Sequence, residues 1–449
     1  MNEVMNKLKT FGGINLLLDD QIGADFCHDE YPGGDYVPAA VAEVTSTEDV
    51  AAVVKLCAEA GVPVTVRGAG TGQMGGSVPV NGGVVLSMKG MNKILGYDEA
   101  TQTLRVQPGV LLQDVKAAAE ANGMYYPPDP GELTATIGGN VATNACGPCA
   151  VKYGKTADYV ADAVLVLADG TVTDLAGKEA VIGSEGTLAI ITEVTLKLIE
   201  KPKADAILLF PFMDADAAIT AAKAIMDAGY EPAVVEYMDT DLVEFSGNVT
   251  GNPVFPVEME GDRVAGTLMV TIEGEDDDDV MEKMETIAGM AEEGEIEPLD
   301  ILVGDSVSMK REFWAAHAAF HTSMESGAKS AREINIDVPM DAMAEMISFV
   351  KSLGEKLGVK ILLHAHVGSG GMHIHVASDL SKVELAPIYL LIAAEVYTKC
   401  MKLGGSARGE YGYGFGKMSY VSDEELAVFA AKKAELDPKG ILNPGKIAE

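Results

Sequence analysis

The sequence is poor in cysteine and lacks long uncharged apolar runs. Five cysteines in 449 residues form an odd, sparse set, which indicates a reducing compartment and not a disulfide-stabilised secreted protein. The longest uncharged apolar run, residues 386–394, is far shorter than the roughly 18 residues that span a bilayer. The first residues contain no apolar stretch followed by small residues, so they predict no secretory signal. We therefore expect a soluble cytoplasmic protein.

Basic residues are also scarce. The chain has 33 Lys and Arg against 68 Asp and Glu, a formal charge of −35, and this excess repels nucleic acid and anionic lipid. Neither nucleic-acid binding nor stable membrane insertion is expected. Residues 273–297 carry many of the acidic side chains in a helical pattern. We interpret this run as a solvated helix face, and a docking surface for a basic redox partner is the alternative.

The remaining composition is that of a globular protein. Hydrophobic residues make up 48% of the chain, whose length is enough for two or three domains with large cores. Strand-like runs and short helical patterns alternate up to about residue 199. From residue 204 onward, a second set of strands and helices predicts an α+β unit with an antiparallel sheet.

A glycine-rich stretch, VRGAGTGQMGGSVP at residues 66–79, contains G-x-G-x-x-G as Gly70, Gly72 and Gly75. A nicotinamide-binding turn of this kind needs a helix directly after the glycines. Here a proline, two adjacent glycines and β-branched residues follow, which predicts strand and turn instead. The stretch is therefore not a nicotinamide-binding turn.

What remains is a loop whose backbone N–H groups can surround an anion. Arg67 supplies a cation, and Thr71 and Ser77 supply hydroxyl groups. Two further loops rich in small polar residues follow at residues 127–154 and 182–194. Three such loops before residue 200 suggest a long, flat ligand with polar and aromatic parts that lies between strands.

Four motifs in chain order resemble those of the FAD-linked oxidase family with the vanillyl-alcohol-oxidase type of flavin domain. They are PVTVRGAGTGQMGGSVP (63–79), TIGGNVATNACGP (136–148), GSEGTLAIITEVTL (183–196) and LDPKGILNPGKI (436–447). Within the family they are similar to the D-lactate, glycolate and D-2-hydroxyglutarate dehydrogenases. The resemblance runs over nearly the whole chain.

The resemblance implies an α+β class, a two-subdomain FAD-binding fold with an antiparallel-sheet cap domain. After an N-terminal segment at residues 1–34, the FAD-binding domain would occupy residues 35–200. A substrate or cap domain would occupy residues 201–400. Residues 401–449 would form a C-terminal segment that returns to the FAD domain.

The resemblance also implies which residues bind FAD. The first loop would hold the pyrophosphate, the second would line the flavin, Ile191 would contact it through its backbone, and Asn443 would return to the isoalloxazine. The full set is Arg67, Gly68, Ala69, Gly70, Thr71, Gly72, Gln73, Ser77, Pro128, Thr136, Gly138, Gly139, Asn140, Ala142, Thr143, Gly147, Ile191 and Asn443. None of the seven histidines lies in the first loop, so FAD is expected to be non-covalent.

A second feature, ILLHAHVGSGGMHIHV, can be interpreted from its residues alone. With Gly368 to Gly371 as a four-residue turn, His366 would lie opposite His373 and His364 opposite His375. Alternation then places all four imidazoles on one face of a hairpin. Such a face suits a borderline divalent cation such as zinc. A polar sheet face, with imidazoles bonded to backbone or solvent, is the alternative.

The resemblance supplies a matching metal motif, H-x-G-D-G-N-x-H followed later by E-H-G. It maps onto His366, His373 and Glu410, which would bind Zn, Mn or Fe. The chain departs from it where Tyr411 replaces the histidine that takes the substrate proton. A tyrosine has an ordinary pKa near 10, so Tyr411 serves as the base only where a cation lowers its pKa. Otherwise His317 or His321 has that role.

The substrate-binding positions also depart from the family. His317 stands where the resemblance expects the arginine that binds a substrate carboxylate. Arg332 is then the nearest remaining cation, with Arg311 and Lys329 as alternatives. We therefore predict Tyr411, His317 and Arg332 as catalytic residues and leave the substrate open.

Cys146 and Cys149, in ACGPCA, have the spacing of a thiol–disulfide couple. They lie in a segment expected to line the flavin, so we interpret them as small buried residues, with a dithiol that exchanges electrons with the flavin as the alternative. The expected activity is oxidation of a 2-hydroxy acid by hydride transfer to FAD, assisted by a divalent metal. Electrons would pass to a separate electron-transfer protein. A non-catalytic electron-relay subunit is the competing hypothesis, and a homo-oligomer is left open.

Overall fold

The computed structural model describes residues 2–447; Met1, Ala448 and Glu449, at the ends of the predicted terminal segments, lie outside the described residues. The strands are β1 (Asn15–Leu17), β2 (Ala40–Glu43), β3 (Val64–Arg67), β4 (Val84–Ser87), β5 (Ile94–Asp98), β6 (Thr103–Val106), β7 (Met124–Tyr125), β8 (Val160–Val166), β9 (Val172–Asp174), β10 (Ile190–Lys197), β11 (Ile199–Glu200), β12 (Ala204–Phe212), β13 (Val234–Asp239), β14 (Glu258–Met259), β15 (Asp262–Arg263), β16 (Gly266–Gly274), β17 (Leu302–Gly304), β18 (Ser330–Asp337), β19 (Lys360–His366) and β20 (Gly371–Ser378). The helices are α1 (Asn2–Leu8), α2 (Thr47–Ala60), α3 (Leu112–Ala121), α4 (Ile137–Thr143), α5 (Ala150–Tyr153), α6 (Ala215–Asp227), α7 (Thr240–Thr250), α8 (Asp277–Glu292), α9 (Val307–Gly327), α10 (Met340–Leu357), α11 (Lys382–Lys402) and α12 (Asp423–Leu436).

The chain forms two compact units. Unit 1 comprises the N-terminal residues up to Cys146, residues 155–201 and the chain from Glu410 onward, and unit 2 comprises residues 147–154 and 202–409. Sequence analysis divided the chain after residues 200 and 400 and assigned residues 147–154 to the first domain. The predicted FAD residue Gly147 therefore belongs to unit 2.

Unit 1 contains two larger sheets. The first has the order β1-β2-β4-β3, in which β4 pairs in parallel with β2 and β3, and β1 is antiparallel. Helix α2 connects β2 to β3, as parallel strands require a crossover. The second sheet, β5-β6-β10-β8-β9, is antiparallel. Strand β3 ends at Arg67, so the glycine-rich loop begins at the carboxyl end of this strand.

The core of unit 1 lies between α2 and the first sheet. Val53 and Val54 of α2 are fully buried against Val64 and Leu86, and Leu442 from the C-terminal segment joins them. Helix α2 begins where the Ser46 hydroxyl accepts the Asp49 N–H at 3.2 Å, and it ends at Gly61 in the left-handed conformation.

Unit 2 is built on a seven-stranded antiparallel sheet, as predicted from the sequence. Its order is β17-β12-β16-β13-β19-β20-β18, so the hairpin β19–β20 lies inside the sheet, flanked by β13 and β18. Helix α9 packs on the face that carries the hairpin histidines, where His317 contacts His364 with ring centroids 5.5 Å apart. The four hairpin imidazoles on that face are buried.

Helix α9 begins at the Ser306 cap, whose hydroxyl accepts the Met309 N–H. Its buried stripe of Phe313, Phe320 and Met324 packs against the apolar core of the sheet. This packing fixes the helix over the sheet, and it decides where the two histidines of α9 lie. Among the described residues, no helix has the length and apolar character to cross a membrane.

Candidate functional site

The hairpin β19–β20 carries its four histidines on one face, as predicted, but in a different register. His364 lies directly opposite His373, and His366 lies opposite Gly371. The sequence interpretation had paired His366 with His373 and His364 with His375, so the predicted register was wrong by two residues. Because side chains alternate with a period of two, a shift of two leaves every imidazole on its predicted face.

The register differs because the turn occupies residues 367–370 and not Gly368–Gly371. The Gly370 N–H donates to His366 O at 2.8 Å, which closes the turn directly after His366. The Val367 N–H donates to Val235 O at 2.9 Å, so β13 holds the first turn residue. A partner strand from elsewhere in the chain therefore decides where the turn begins.

His366 and His373 are diagonal neighbours whose rings approach edge to face. Their Nε2 atoms are 3.0 Å apart, and both residues are buried. Two imidazole nitrogens at this distance place their lone pairs toward one point, which repels unless a cation or a proton lies between them. Neutral imidazole nitrogens are preferred ligands of zinc and other transition metals. The donor set thus fits a divalent cation.

A buried glutamate lies behind each of these imidazoles. Glu236 on β13 bonds His366 Nδ1 through Oε1 at 2.5 Å, and Glu333 on β18 bonds His373 Nδ1 through Oε1 at 2.7 Å. Burial raises the pKa of each glutamate, but the histidine charges and hydrogen bonds outweigh burial, so both pKa values lie below the ordinary range. Each carboxylate thus lies at hydrogen-bond distance from an Nδ1 atom, and the Nε2 atom of the same ring points away from the glutamate.

Helix α9 supplies the second partner of each carboxylate. His317 Nε2 lies 3.0 Å from Glu236 Oε2, and His321 Nδ1 lies 3.2 Å from Glu333 Oε2. The two helix histidines share one face of α9 because they are four residues apart. The His317 side chain is 10% exposed and that of His321 is 48% exposed. His317, predicted as catalytic, therefore contacts a carboxylate of this cluster.

His364 and His375 complete the imidazole face. The His364 ring stacks on that of His373 with centroids 4.4 Å apart and planes 1° apart. Burial and the neighbouring imidazoles hold the pKa of His364 well below its usual value, and burial lowers the pKa of His375 to about 4. Among the described residues, His364 Nδ1 and His375 Nε2 have no hydrogen-bond partner. Both imidazoles are therefore neutral at physiological pH and fill the face beside His366 and His373.

Arg332 does not lie at this face. In β18 it lies opposite Val376, while Glu333 lies opposite His375, so alternation directs Arg332 to the other side of the sheet. Its Nη1 donates to Ala331 O at 3.1 Å. Arg332 and the hairpin histidines therefore lie on opposite faces of the sheet, because only the odd-numbered residues of β18 share the histidine face, and the role of Arg332 in binding a substrate carboxylate stays a prediction.

The third predicted ligand, Glu410, is the first residue of the last segment of unit 1, and the predicted base Tyr411 follows it, half-buried. The Cys146 thiol donates to Glu410 Oε1 at 3.4 Å, and both residues are buried. Cys149 belongs to unit 2, where it packs against the apolar core. Cys146 and Cys149 are both in the thiol form. The roles of Glu410 and Tyr411 stay predictions.

In unit 1, the glycine-rich loop has the properties of an anion cradle. Within the part of the chain that the structure describes, the N–H groups of residues 68–73 donate no hydrogen bond to the protein. Gly70 has a φ of +84°, and a Cβ there would lie 2.1 Å from Arg67 Nη2. The loop therefore exposes its backbone donors because no side chain covers them, which fits a diphosphate.

Arg67 supports this loop from beneath. Its Nη1 donates to His28 O at 2.8 Å and to Ser77 Oγ at 3.3 Å, and its Nε has no partner among the described residues. The buried guanidinium thus supplies positive charge below Gly70. His28, which is far from the loop in sequence, lies beside it through its carbonyl group, while its side chain is exposed.

The structure brings the predicted FAD-binding segments of unit 1 together. A Cβ on Gly68 would lie 2.1 Å from Thr136 Oγ1, so the first and second loops touch at these residues. Thr136 precedes α4, which contains Gly138, Gly139, Asn140, Ala142 and Thr143. Gly138 is required by packing, because a Cβ there would lie 2.5 Å from the Pro108 side chain.

Asn443 joins the C-terminal segment to the other loops. Its Nδ2 donates to Gly76 O at 2.8 Å and to Glu185 O at 2.7 Å, and its Oδ1 accepts from Lys446 Nζ at 2.9 Å. Both amide protons are thus used within the protein. Asn443 braces the first and third loops, a role that the predicted contact with the isoalloxazine did not include.

The chain matches known protein families over both of its units. One family model, described as an FAD binding domain, matches residues 38–176, and another, the C-terminal domain of FAD linked oxidases, matches residues 201–447. Together they span most of the chain. The chain belongs to the FAD-linked oxidase family. It is therefore an FAD-linked oxidoreductase, as the sequence motifs indicated.

This FAD-linked oxidase is 38% identical over 464 residues to a D-lactate dehydrogenase of Anaerostipes hadrus, a match that covers 99% of the chain and 97% of the relative. It is 31% identical to a glycolate oxidase subunit of Bacillus subtilis, with 94% of the chain and 91% of the relative covered.

Among solved structures, the FAD-linked oxidase is similar to p-cresol methylhydroxylase, with a TM-score of 0.81 at 18% identity over 99% of the chain and 96% of that protein. It is also similar to alkyldihydroxyacetonephosphate synthase, with a TM-score of 0.78 at 20% identity over 99% of the chain and 84% of that protein. At these identities the likeness shows the fold alone. It confirms the predicted α+β flavoprotein fold of the vanillyl-alcohol-oxidase type.

Sequence reasoning missed the two glutamates of the histidine face. Glu236 and Glu333 carry no local motif, and each is separated by many residues from the histidine that it contacts. A usable signal was present for Glu236, which is the one charged residue of the apolar run AVVEYM, whereas Glu333 has Arg332 beside it and carries no such signal. A buried charge in a central strand has to be paired, so such residues are candidates for a site.

Proposed function

We propose that this FAD-linked oxidase is a dehydrogenase of 2-hydroxy acids of the D-lactate or glycolate class, with non-covalent FAD and a divalent metal. The names of two relatives that align over more than nine-tenths of the chain support the substrate class. The observation that carries the metal is the pair of Nε2 atoms of His366 and His373, 3.0 Å apart, each backed by a buried carboxylate.

In the proposed reaction, His366, His373 and Glu410 would hold the cation, which when bound lowers the pKa of a substrate hydroxyl group. Bound FAD supplies the hydride acceptor for the carbinol carbon. The backbone N–H groups of residues 68–73 bind and orient the FAD diphosphate. Tyr411 would accept the hydroxyl proton at its phenolic oxygen as a phenolate, the form that a nearby cation favours. The electrons would leave to a separate carrier protein.

The histidine face favours a substrate whose binding does not depend on an arginine. The charged side chains that bond His366 and His373 are Glu236 and Glu333, and Arg332 lies on the other side of the sheet. The family position for a carboxylate-binding arginine holds His317, which bonds Glu236. We therefore infer that the substrate carboxylate is bound with less positive charge than in the hydroxy acid dehydrogenases that the sequence resembles.

A panel of D- and L-2-hydroxy acids, mixed anaerobically with the purified protein, tests this proposal. We expect one enantiomeric series to bleach the visible flavin absorbance, and elemental analysis to find about one divalent metal per chain. His373→Gln should abolish bleaching and metal retention. His28→Gln, which removes an exposed imidazole in unit 1, should leave both unchanged. Protein that takes up flavin but is bleached by no member of the panel would contradict the proposed substrate class.

Two competing functions give different results in the same assay. A non-catalytic electron relay would be reduced by an electron donor and by no hydroxy acid. A flavin-linked dithiol oxidoreductase would lose reduction in Cys146→Ser. Since the Cys146 thiol donates to the Glu410 carboxylate, we expect Cys146→Ser, whose hydroxyl can also donate, to retain bleaching by the hydroxy acid.

A further inference from the structure

We propose that Glu236 and Glu333 are positioning residues that fix His366 and His373 in the Nδ1–H tautomer, so that both Nε2 lone pairs meet at one point. The functional role of these tautomers, which is to bind a cation, rests on the proposed metal function. Its geometry stands on unit 2 alone, since both glutamates and both histidines lie on adjacent strands of the seven-stranded sheet.

The first support is that each glutamate contacts two imidazoles at once. Glu236 joins His366 on the hairpin to His317 on α9, at 2.5 and 3.0 Å. Glu333 joins His373 to His321, at 2.7 and 3.2 Å. The two arrangements repeat each other on either side of the hairpin. A single contact of this kind is common on a polar sheet face. Here the two contacts are equivalent, and they lie on either side of the two Nε2 atoms that face each other.

The second support is the chemistry of a carboxylate between two ring nitrogens. An ionised carboxylate only accepts hydrogen bonds, so each contacting nitrogen has to carry a proton. Nδ1 of His366 and Nδ1 of His373 are therefore the protonated nitrogens, and in the neutral rings Nε2 is left as the acceptor. The tautomer of each hairpin histidine is thus determined by a residue on a neighbouring strand.

The third support is that no other side chain of similar size can make the same contacts. A glutamine offers one acceptor oxygen and one donor NH₂ group, so it can accept from only one of the two N–H groups. The other imidazole would face a donor and would have to change its tautomer or turn away. Because the Glu236 side chain is 0% exposed and that of Glu333 is 7% exposed, solvent offers little compensation.

Zinc titration of the metal-stripped holoenzyme, with a competing chelator, tests the consequence for binding. Glu236→Gln and Glu333→Gln are expected to weaken zinc binding by about 10- to 100-fold, the effect typical of partners that orient a ligand imidazole. Glu273→Gln is the matched control, because Glu273 is a largely buried carboxylate of the same sheet that accepts from Lys152 and Tyr153. It should bind zinc within about twofold of the wild type.

Nitrogen NMR of protein labelled with ¹⁵N-histidine reads the tautomers directly, without metal or turnover. In the metal-free wild type, Nδ1 of His366 and Nδ1 of His373 should both be protonated, with a proton shared between the two Nε2 atoms. In Glu236→Gln the Nδ1 signal of His366 should change while that of His373 keeps its wild-type value. The proposal is overturned if Nδ1 of either hairpin histidine of the wild type is unprotonated, a result that needs no variant to fold. It is also overturned if both glutamine variants keep wild-type tautomers and zinc affinity. A wild type with the expected tautomers that binds no zinc would support the positioning role and reject the metal function.

Discussion

Lys446 is fully buried in unit 1, where its ammonium group donates to Val78 O at 2.7 Å and to Asn443 Oδ1 at 2.9 Å. Burial lowers the pKa of Lys446 to about 8, although the charges of Glu185 and Asp29 act in the opposite direction. A buried amine near the FAD loop thus titrates about one pH unit above the physiological range, where it is still mostly protonated. Lys446 lies in the C-terminal segment, where Asn443 also bonds Gly76 O of the first loop and Glu185 O of the third loop.

The lowered pKa of Lys446 predicts a pH dependence of stability. Between about pH 8 and its unfolded pKa near 10.5, the unfolded chain binds more protons at this site, so its contribution to the free energy of unfolding rises with pH by at most about 3 kcal/mol. Below about pH 8 the amine is protonated in both states and the contribution is flat. Lys446→Met should remove the rise.

Urea unfolding of wild type and Lys446→Met at several pH values measures this effect as a difference between the two proteins. The difference should be constant from about pH 7 to 8 and should grow in favour of the wild type toward about pH 10. A difference that stays constant over the whole range would show that Lys446 has an ordinary pKa in the folded protein.

At the scale of an element, the loop at residues 67–77 depends on glycine for two separate reasons. Gly70 has a positive φ, and it also lies over the Arg67 guanidinium, where a Cβ would be 2.1 Å from Nη2. Gly82 has a comparable φ of +65° with open space around its Cβ position. Substitution of Gly70 would therefore cause both backbone strain and displacement of Arg67, whereas substitution of Gly82 would cause backbone strain alone.

We predict that Gly70→Ala lowers FAD affinity by tenfold or more, since the new methyl group has to displace Arg67 and the loop donors above it. Gly82→Ala is the control, because it carries the same left-handed backbone cost of about 1–2 kcal/mol without a clash. Titration of both flavin-free variants with FAD, read by quenching of flavin fluorescence, compares them. Equal affinities would mean that the loop tolerates movement of Arg67.

The hairpin is the second informative element. Strand alternation predicted that its four histidines share a face, because alternation depends only on local backbone geometry. The pairing was wrong by two residues, since the Val367 N–H bonds Val235 O and the turn closes directly after His366. Register in a hairpin of this kind is decided by the neighbouring strand, which the hairpin sequence does not contain.

At the scale of the whole molecule, the charge of −35 dominates. The sequence pI is about 4.4, so near neutral pH the acidic surface repels itself and destabilises the compact state. At 0.1 M ionic strength, salt screens the repulsion between exposed charges that are more than about 10 Å apart. The surface ion pairs, such as Lys201 with Glu120, contribute little because both side chains are well exposed.

We therefore expect the melting temperature at about pH 7.5 to rise when NaCl is increased from about 20 to about 300 mM. A gain of about 2–4 °C would correspond to roughly 1 kcal/mol. The same salt series near pH 4.5, close to the pI of about 4.4, is the control and should give a smaller shift. A melting temperature that falls with salt at neutral pH would mean that attractive ion pairs outweigh the net repulsion.

Much of the flavin-binding unit could be predicted from the sequence, because its information is local. The loop glycines, the following strand material and the order of four short motifs excluded a nicotinamide turn and indicated FAD. Arg67 was predicted as a direct donor, yet its guanidinium bonds His28 O and Ser77 Oγ beneath the loop. Its partner His28 is 39 residues away in sequence, a contact that no local pattern encodes.

The sequence by itself predicted a glycine-rich FAD-binding loop and determined which imidazoles share a face, since glycine conformation and strand alternation are properties of short segments. The tertiary structure decided what lies behind those imidazoles. Glu236 and Glu333 reach His366 and His373 because β13 and β18 flank the hairpin, and α9 places His317 and His321 above them. Strand order and helix packing arise from burial of the whole apolar core, so they fix these partners only when the chain is folded.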